Sequence, residues 1–268
     1  MTYFFVHTPK TSGTSFMDVL QKNKDNRVGS FYPPMQEMKD FTKIFQEGPH
    51  YHLEKNPDWQ KFNIIGGHFA FGIHAVLKAD QFRYLGVFRE PVAHYLSMYK
   101  AFLRVPEKYR NKILPGSEQS IENMMKLKVT HNMQTWFLTG ISPEEIIADK
   151  EKAYQIAIEN CEKYFDGIYP TERFDEGLFF FRNKIGLKPQ YYLKKNVAKN
   201  AVSEIITSEL KEKIKKINEV DIRLFIYLNE RFTRDFNAIP GIMNEVRIFK
   251  FFNWIYGVKN KIINNSAS

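Results

Sequence analysis

Two stretches of this sequence carry the residue types that bind anions. The first is Val6-His7-Thr8-Pro9-Lys10-Thr11-Ser12-Gly13-Thr14-Ser15. A strand that ends in a small-residue loop and passes into a helix points backbone N–H groups and the positive end of the helix dipole at one spot. Thr11 and Ser12 lie in the loop, and Gly13 lets an anion approach the backbone closely. Lys10 adds a mobile cation, and the hydroxyls of Thr14 and Ser15 add donors. The loop suits a phosphate-like group. It is not a Walker A loop, in which the lysine follows the glycines, because Lys10 precedes Gly13. An ordinary polar loop capping a helix has the same composition. The second stretch runs from Tyr84 to Tyr99. Arg89 sits where a strand meets a loop, and Ser97 lies about two turns into the helix that follows. A guanidinium there can fork onto a phosphate while the Ser97 hydroxyl donates to it. The alternative is that Arg89 pairs with Glu90 or a nearby acid and Ser97 faces a neighbouring helix.

Both stretches need strands and helices to aim them. Phe4-Phe5-Val6 reads as a buried strand, and Thr14 to Asn23 as a helix with Phe16, Val19 and Leu20 on one face. Phe62 to Gly67 and Phe82 to Phe88 read as further strands. Glu90-Pro91 opens a helix through about Leu103, with proline in the first turn. Arg104 to Gln119 contains Pro106, Pro115 and Gly116 and reads as an exposed loop. Helices are expected at Ser120–Lys128 and His131–Leu138, and Ser142-Pro143 starts another. Tyr164 to Tyr169 reads as a strand and Phe174 to Ile185 as a helix stopped by Gly186. Thr207 to about Phe236 reads as one long amphipathic helix. Strands alternating with helices predict an α/β fold, with a parallel sheet flanked by helices.

Composition agrees with a folded domain and narrows its partners. The 268 residues suit one large domain or two small ones. With 24 Phe and 14 Tyr the chain has the aromatics for a core. Lys and Arg total 39 against 30 acids, a formal +9 that favours anionic partners. One cysteine, Cys161, excludes an intramolecular disulfide and suits a reducing compartment. No stretch approaches the ~20 apolar residues of a membrane span, and the first residues lack the basic start of a signal peptide. A cytoplasmic location is the expectation, although a chain trimmed of an anchor reads the same. No metal is expected, since no cysteine pair, His-Glu-x-x-His or Asp-rich loop is present.

Taken together, the two stretches resemble the 5′-phosphosulfate loop and 3′-phosphate motif of sulfotransferases that use 3′-phosphoadenosine 5′-phosphosulfate (PAPS). The closest look is to the carbohydrate group that includes heparan sulfate 2-O-sulfotransferase and many bacterial relatives. Gly66-Gly67-His68-Phe69-Ala70-Phe71-Gly72, Asn132-Met133-Gln134-Thr135 and Thr171-Glu172-Arg173-Phe174-Asp175 extend the similarity. It runs in order from about Tyr3 to about Phe236. The resemblance implies a P-loop-like α/β fold over residues 1–240. It implies PAPS as co-substrate, no metal, and an acceptor hydroxyl, most readily on a carbohydrate. Lys10, Thr11, Ser12, Gly13, Thr14, Ser15, Arg89 and Ser97 would bind the cofactor. Ala93 stands where relatives often carry a basic residue, and Asn196–Asn200 only loosely matches the late loop that closes over the cofactor.

Sulfuryl transfer is an in-line displacement that asks mainly for positioning and charge stabilisation. Lys10 and the loop amides suit the leaving bisphosphate. A histidine suits removal of the acceptor proton. Of His7, His50, His52, His68, His74, His94 and His131, His68 follows a predicted strand at an edge that opens on the site. It also matches the family's catalytic histidine, and His74 is the runner-up. His7 reads as a strand residue beneath the loop, and His94 as a helix-surface or adenosine-side residue. Lys194, Lys195, Lys199 and Arg173 form either a basic wall or a solvated face.

Two other functions compete. A P-loop kinase or phosphotransferase lacks the Walker A order and a clear Mg²⁺ aspartate. A non-enzymatic binder of acidic glycan or nucleic acid would rest on charge alone, and no standard nucleic-acid motif is visible, so no nucleic-acid partner is expected. Residues 241–268 read as a basic, aromatic extension with four cations against one acid. Such a helix either docks on the core or a second subunit, the favoured expectation, or lies in a membrane interface.

Overall fold

The computed structural model describes residues 1–23, 25–31, 58–105, 107–114, 119–193 and 207–266. His50, His52, Pro106, Pro115, Gly116, Lys194, Lys195, Lys199 and the Asn196–Asn200 stretch lie outside them. In chain order the elements are β1 (Thr2–His7), α1 (Gly13–Lys22), β2 (Val28–Phe31), β3 (Ile64–Gly67), α2 (Ile73–Val76), β4 (Phe82–Phe88), α3 (Pro91–Phe102) and α4 (Glu107–Ile113). There follow α5 (Ile121–Met124), α6 (Met133–Thr139), α7 (Pro143–Ala148), α8 (Lys150–Tyr164), β5 (Phe165–Pro170), α9 (Phe174–Ile185), α10 (Ser208–Ile217), α11 (Glu219–Asn237) and α12 (Ile242–Ser266).

The five strands form one parallel sheet in the order β2-β3-β1-β4-β5. β1 is central, with β3 on one side and β4 on the other. In such a sheet the crevice beyond the carboxyl ends of the strands, where strand order reverses, is the usual ligand site. Strand side chains alternate between the two faces. Phe4, Val6, Tyr84 and Phe88 enter one core with residues of α3, α6, α8, α10 and α11. Phe5, Leu85 and Val87 enter the other with residues of α1, α9 and α12. Both faces are covered, as a parallel sheet requires. Cys161 lies buried on α8, and burial pushes its thiol up to about 12, so it serves packing.

Two expected elements differ and one strand is new. The stretch read as a loop from Arg104 contains α4, so its prolines bracket a helix instead of excluding one. The long helix from Thr207 is two helices divided at Asn218. The Asn218 side chain donates to the Ile214 carbonyl at 2.9 Å and accepts from the Asn132 N–H at 2.9 Å, a local bond that competes with helix continuation. Strand β2, Val-Gly-Ser-Phe, is an additional strand at the sheet edge, and its glycine and serine carry no strand pattern.

The segment after residue 240 packs on this core over its first half. Ile242, Val246 and Phe249 are buried against α9 and its neighbours. Glu245 bridges Arg182 on α9, and the Phe179 and Phe249 rings meet edge to face. Ile242→Ala should therefore cost about 2–5 kcal/mol, measured by denaturant unfolding. A change within ±0.5 kcal/mol would mean that α12 contributes no core.

Candidate active site

The turn between β1 and α1 is held open by side chains. Lys10 and Ser12 have φ of 68° and 61°, in the left-handed region that non-glycine residues avoid. Such conformations cost of order 1–3 kcal/mol each and persist only where the surroundings enforce them. Here four consecutive carbonyls are each taken by a side-chain donor. His68 Nδ1 donates to His7 O at 2.7 Å, and Thr11 Oγ1 to Thr8 O at 2.7 Å. His94 Nε2 donates to Pro9 O at 2.8 Å, and Arg89 Nη1 to Lys10 O at 3.1 Å. The negative ends of these peptides turn into the protein. Among the described residues, the Ser12 side chain makes no cap bond to α1, and the Gly13 and Thr14 N–H groups have no partner within the helix, while Ser15 N donates to Ser12 O at 3.0 Å. An anion is the natural complement.

The surrounding charge has the same sign. Burial lowers the Lys10 pKa, and Arg104 and Arg89 lower it further. Glu90 does not neutralise Arg89. Its two carboxylate oxygens accept from Val92 N at 3.1 Å and Ala93 N at 2.6 Å, capping α3. Glu172 forms a long ion pair with Arg89, its Oε1 3.9 Å from Nε and beyond hydrogen-bond reach, so the alternative of a nearby acid holds in part. Arg89 Nε is buried and has no hydrogen-bond partner among the described residues. A buried charged donor left unpaired is costly, and a bound oxyanion would satisfy it.

The Arg89 backbone is clamped. Its N–H donates to Gln134 Oε1 at 2.7 Å, and Gln134 Nε2 donates to its carbonyl at 2.9 Å. Gln134 opens α6, whose first amides rest on Asp221: Gln134 N at 3.1 Å and Thr135 N at 2.7 Å. In return the Asn132 side chain accepts from Val220 N and Asp221 N at the start of α11. Burial pushes Asp221 up to about 6 despite these donors.

His68 follows β3 at the same sheet edge. A carbonyl only accepts, so the bond to His7 O places the proton of the neutral ring on Nδ1 and leaves the lone pair on Nε2. Burial pushes its pKa down to about 4, with Lys10 lowering it too. The His7 ring lies 4.5 Å away and is also held neutral by burial. His74 lies elsewhere. It stacks on Phe82, the first residue of β4, at 3.9 Å, and so sits at the amino end of the sheet. Tyr84 Oη accepts from the N–H groups of Gly72 and His74 and donates to His74 Nδ1 at 2.7 Å, which occupies that lone pair.

The structure brings Lys10, Thr11, Ser12, Gly13, His68 and Arg89 to one edge. Thr14, exposed, and Ser15, half-buried, open α1, and Ser97 is half-buried on α3. Three expectations change in detail. The Thr11 hydroxyl points inward to Thr8. His94 is buried, not on the helix surface, and anchors the loop. Gly13 is required by a side chain: a Cβ there would lie 2.0 Å from the His7 ring. Gln134 and Arg104 were missed. Gln134 stood in a quoted motif, but its bond to Arg89 spans 45 positions; Arg104 lay in the stretch read as a loop.

A phosphate-like cradle at the switch point of a parallel sheet, with a histidine lone pair beside it, defines the class of group-transfer enzymes that handle anionic donors. The family model for galactose-3-O-sulfotransferase matches residues 2–248, and the chain belongs to that family. It is thus a sulfotransferase of a carbohydrate group, and the match runs past Phe236, where the resemblance read from the sequence stopped. A sequence comparison with curated proteins gives no match. Among the described residues no group of three or more His, Cys, Asp or Glu is arranged to hold a metal ion.

Gly13→Ala should displace His7 and spoil the loop. The expected result is loss of measurable binding of adenosine 3′,5′-bisphosphate by calorimetry, with a lowered melting temperature. Wild-type affinity in that variant would show that the ring moves aside freely.

Proposed function

We propose that this protein transfers a sulfuryl group from PAPS to a carbohydrate hydroxyl. Given the family's name, the 3-hydroxyl of a galactosyl unit is the first acceptor to test. The observation that carries the reading is the inward turn of four loop carbonyls beneath a cationic edge in which Arg89 Nε lacks a hydrogen bond. The residues present fit the donor. Lys10 and the amides from Thr11 to Thr14 would hold its 5′ side, with the hydroxyls of Thr14 and Ser15. Arg89, through Nε, and Ser97 would hold the 3′-phosphate.

PAPS supplies the sulfuryl group. In the step itself the acceptor oxygen forms a bond to sulfur as the bond from sulfur to the bridging phosphate oxygen breaks. His68 Nε2 takes the hydroxyl proton, and Nδ1 stays bonded to His7 O, so the ring keeps its aim. The positive charge gained by His68 must be met near Lys10, which disfavours it until negative charge is present. Lys10 meets the charge that grows on the departing oxygen, an interaction stronger in the transition state than before it.

Arg89→Ala should weaken adenosine 3′,5′-bisphosphate by ~1.5–3 kcal/mol and adenosine 5′-phosphate far less, by titration calorimetry. Equal weakening of both would remove Arg89 from the 3′ side. Failure of wild type to prefer the bisphosphate over ATP would overturn the donor.

For His68 the pH profile is the sharper test. A base whose pKa is near 4 in the free enzyme is already unprotonated at pH 7, so kcat/KM should stay level to about pH 5 before falling. His68→Ala should cut kcat by ~10²–10⁴-fold and abolish that acidic limb. Unchanged turnover in the variant would exclude the role.

A further inference from the structure

α12 has two apolar sides and only one is covered. Ile242, Val246 and Phe249 face the core, with Asn253 accepting from Tyr192 N at 2.9 Å and Tyr256 stacking on Tyr191. On the opposite side Ile248, Phe251, Phe252, Trp254, Ile255 and Val258 are 39–65% exposed. At ~100° per residue these six fall on one continuous face. Arg247 and Lys259 lie on it too, both exposed. Exposed apolar patches of this density on a soluble surface mark an interaction site.

The charges choose the occupant. Glu245 is the one acid of α12, and it is bridged to Arg182. Lys250, at the margin, reaches Glu176 at 3.6 Å. Among the described residues no acid pairs with Arg247 or Lys259. A two-fold pairing with a second copy would set these cations of both chains into one interface with no acid to meet them. An anionic lipid surface meets them directly. No helix of the described residues is long and apolar enough to cross a bilayer, whereas a basic helix with one aromatic face lies in the interface plane.

We infer that the outer face of α12 binds anionic membrane surface, inserting Phe251, Trp254 and Val258 among the lipids while Arg247 and Lys259 meet headgroups. The inference is independent of the donor chemistry. The test is sedimentation of the full chain with vesicles of phosphatidylcholine plus phosphatidylglycerol, against phosphatidylcholine alone. Wild type should pellet with the anionic vesicles, less at high salt. The combined variant Phe251→Ser, Trp254→Ser, Val258→Ser should keep its melting temperature and partition about tenfold less or weaker still. Wild type left in the supernatant with both vesicles would overturn the inference, as would a variant that partitions equally. So would a wild-type dimer in analytical ultracentrifugation that the variant abolishes, since the face would then belong to a second copy.

Discussion

Four carbonyl oxygens in a row, from His7 to Lys10, cannot all turn into a protein unless four donors wait for them. That requirement organises the site. The donors come from β3's exit (His68), from the loop itself (Thr11), from α3 (His94) and from β4's exit (Arg89). Each costs the chain a commitment of a distant element, and together they hold Lys10 and Ser12 in backbone conformations that neither would choose. The reward is electrostatic: peptide dipoles point their positive ends outward before any ligand arrives. Preorganised dipoles need no rearrangement when charge develops, which is why such sites outperform water.

The same bonds let two residues support the loop and fix their own orientation. His68 gives Nδ1 to the loop, which puts the ring's lone pair on Nε2. Arg89 spends Nη1 on Lys10 and keeps Nε. A histidine tied in this way has its tautomer chosen by the fold, and an arginine tied in this way has its plane chosen. Both depend on the parallel sheet, because only neighbouring parallel strands deliver their following residues to one edge. β3, β1 and β4 do so in adjacent positions.

Much of this was legible in the residues. Apolar runs marked β1, β3, β4 and β5, and the small-residue loop with Lys10 and the Arg89 exit were the two stretches that the sheet brings to one edge. What stayed hidden were effects of residues far apart in sequence. Nothing in Gly13 says that a histidine ring lies against it, so its backbone freedom looked like the reason for it. His94 and His74 could not be ranked by spacing, since one is drawn under the loop and the other to the far end of the sheet by packing on Phe82. Asn218 broke a helix that periodicity ran straight through, because its partner, Asn132, is 86 positions away. Short β2 was hidden by its glycine and serine, and α4 by the prolines around it.

The chain of bonds from Arg89 through Gln134 to Asp221 has a consequence for biosynthesis. Residues of the donor edge are made early, between Lys10 and Arg89, but the clamp that seats Arg89 rests on a helix whose first turn comes more than a hundred residues later. A nascent chain emerges at about 5–20 residues per second, so the edge spends many seconds exposed without its support. During that interval the loop and its four donors are present while the clamp on the Arg89 backbone lacks its support. A chain cut short before Asp221 would hold every residue of the cradle and its four loop donors, yet lack the helix on which the seat of Arg89 rests.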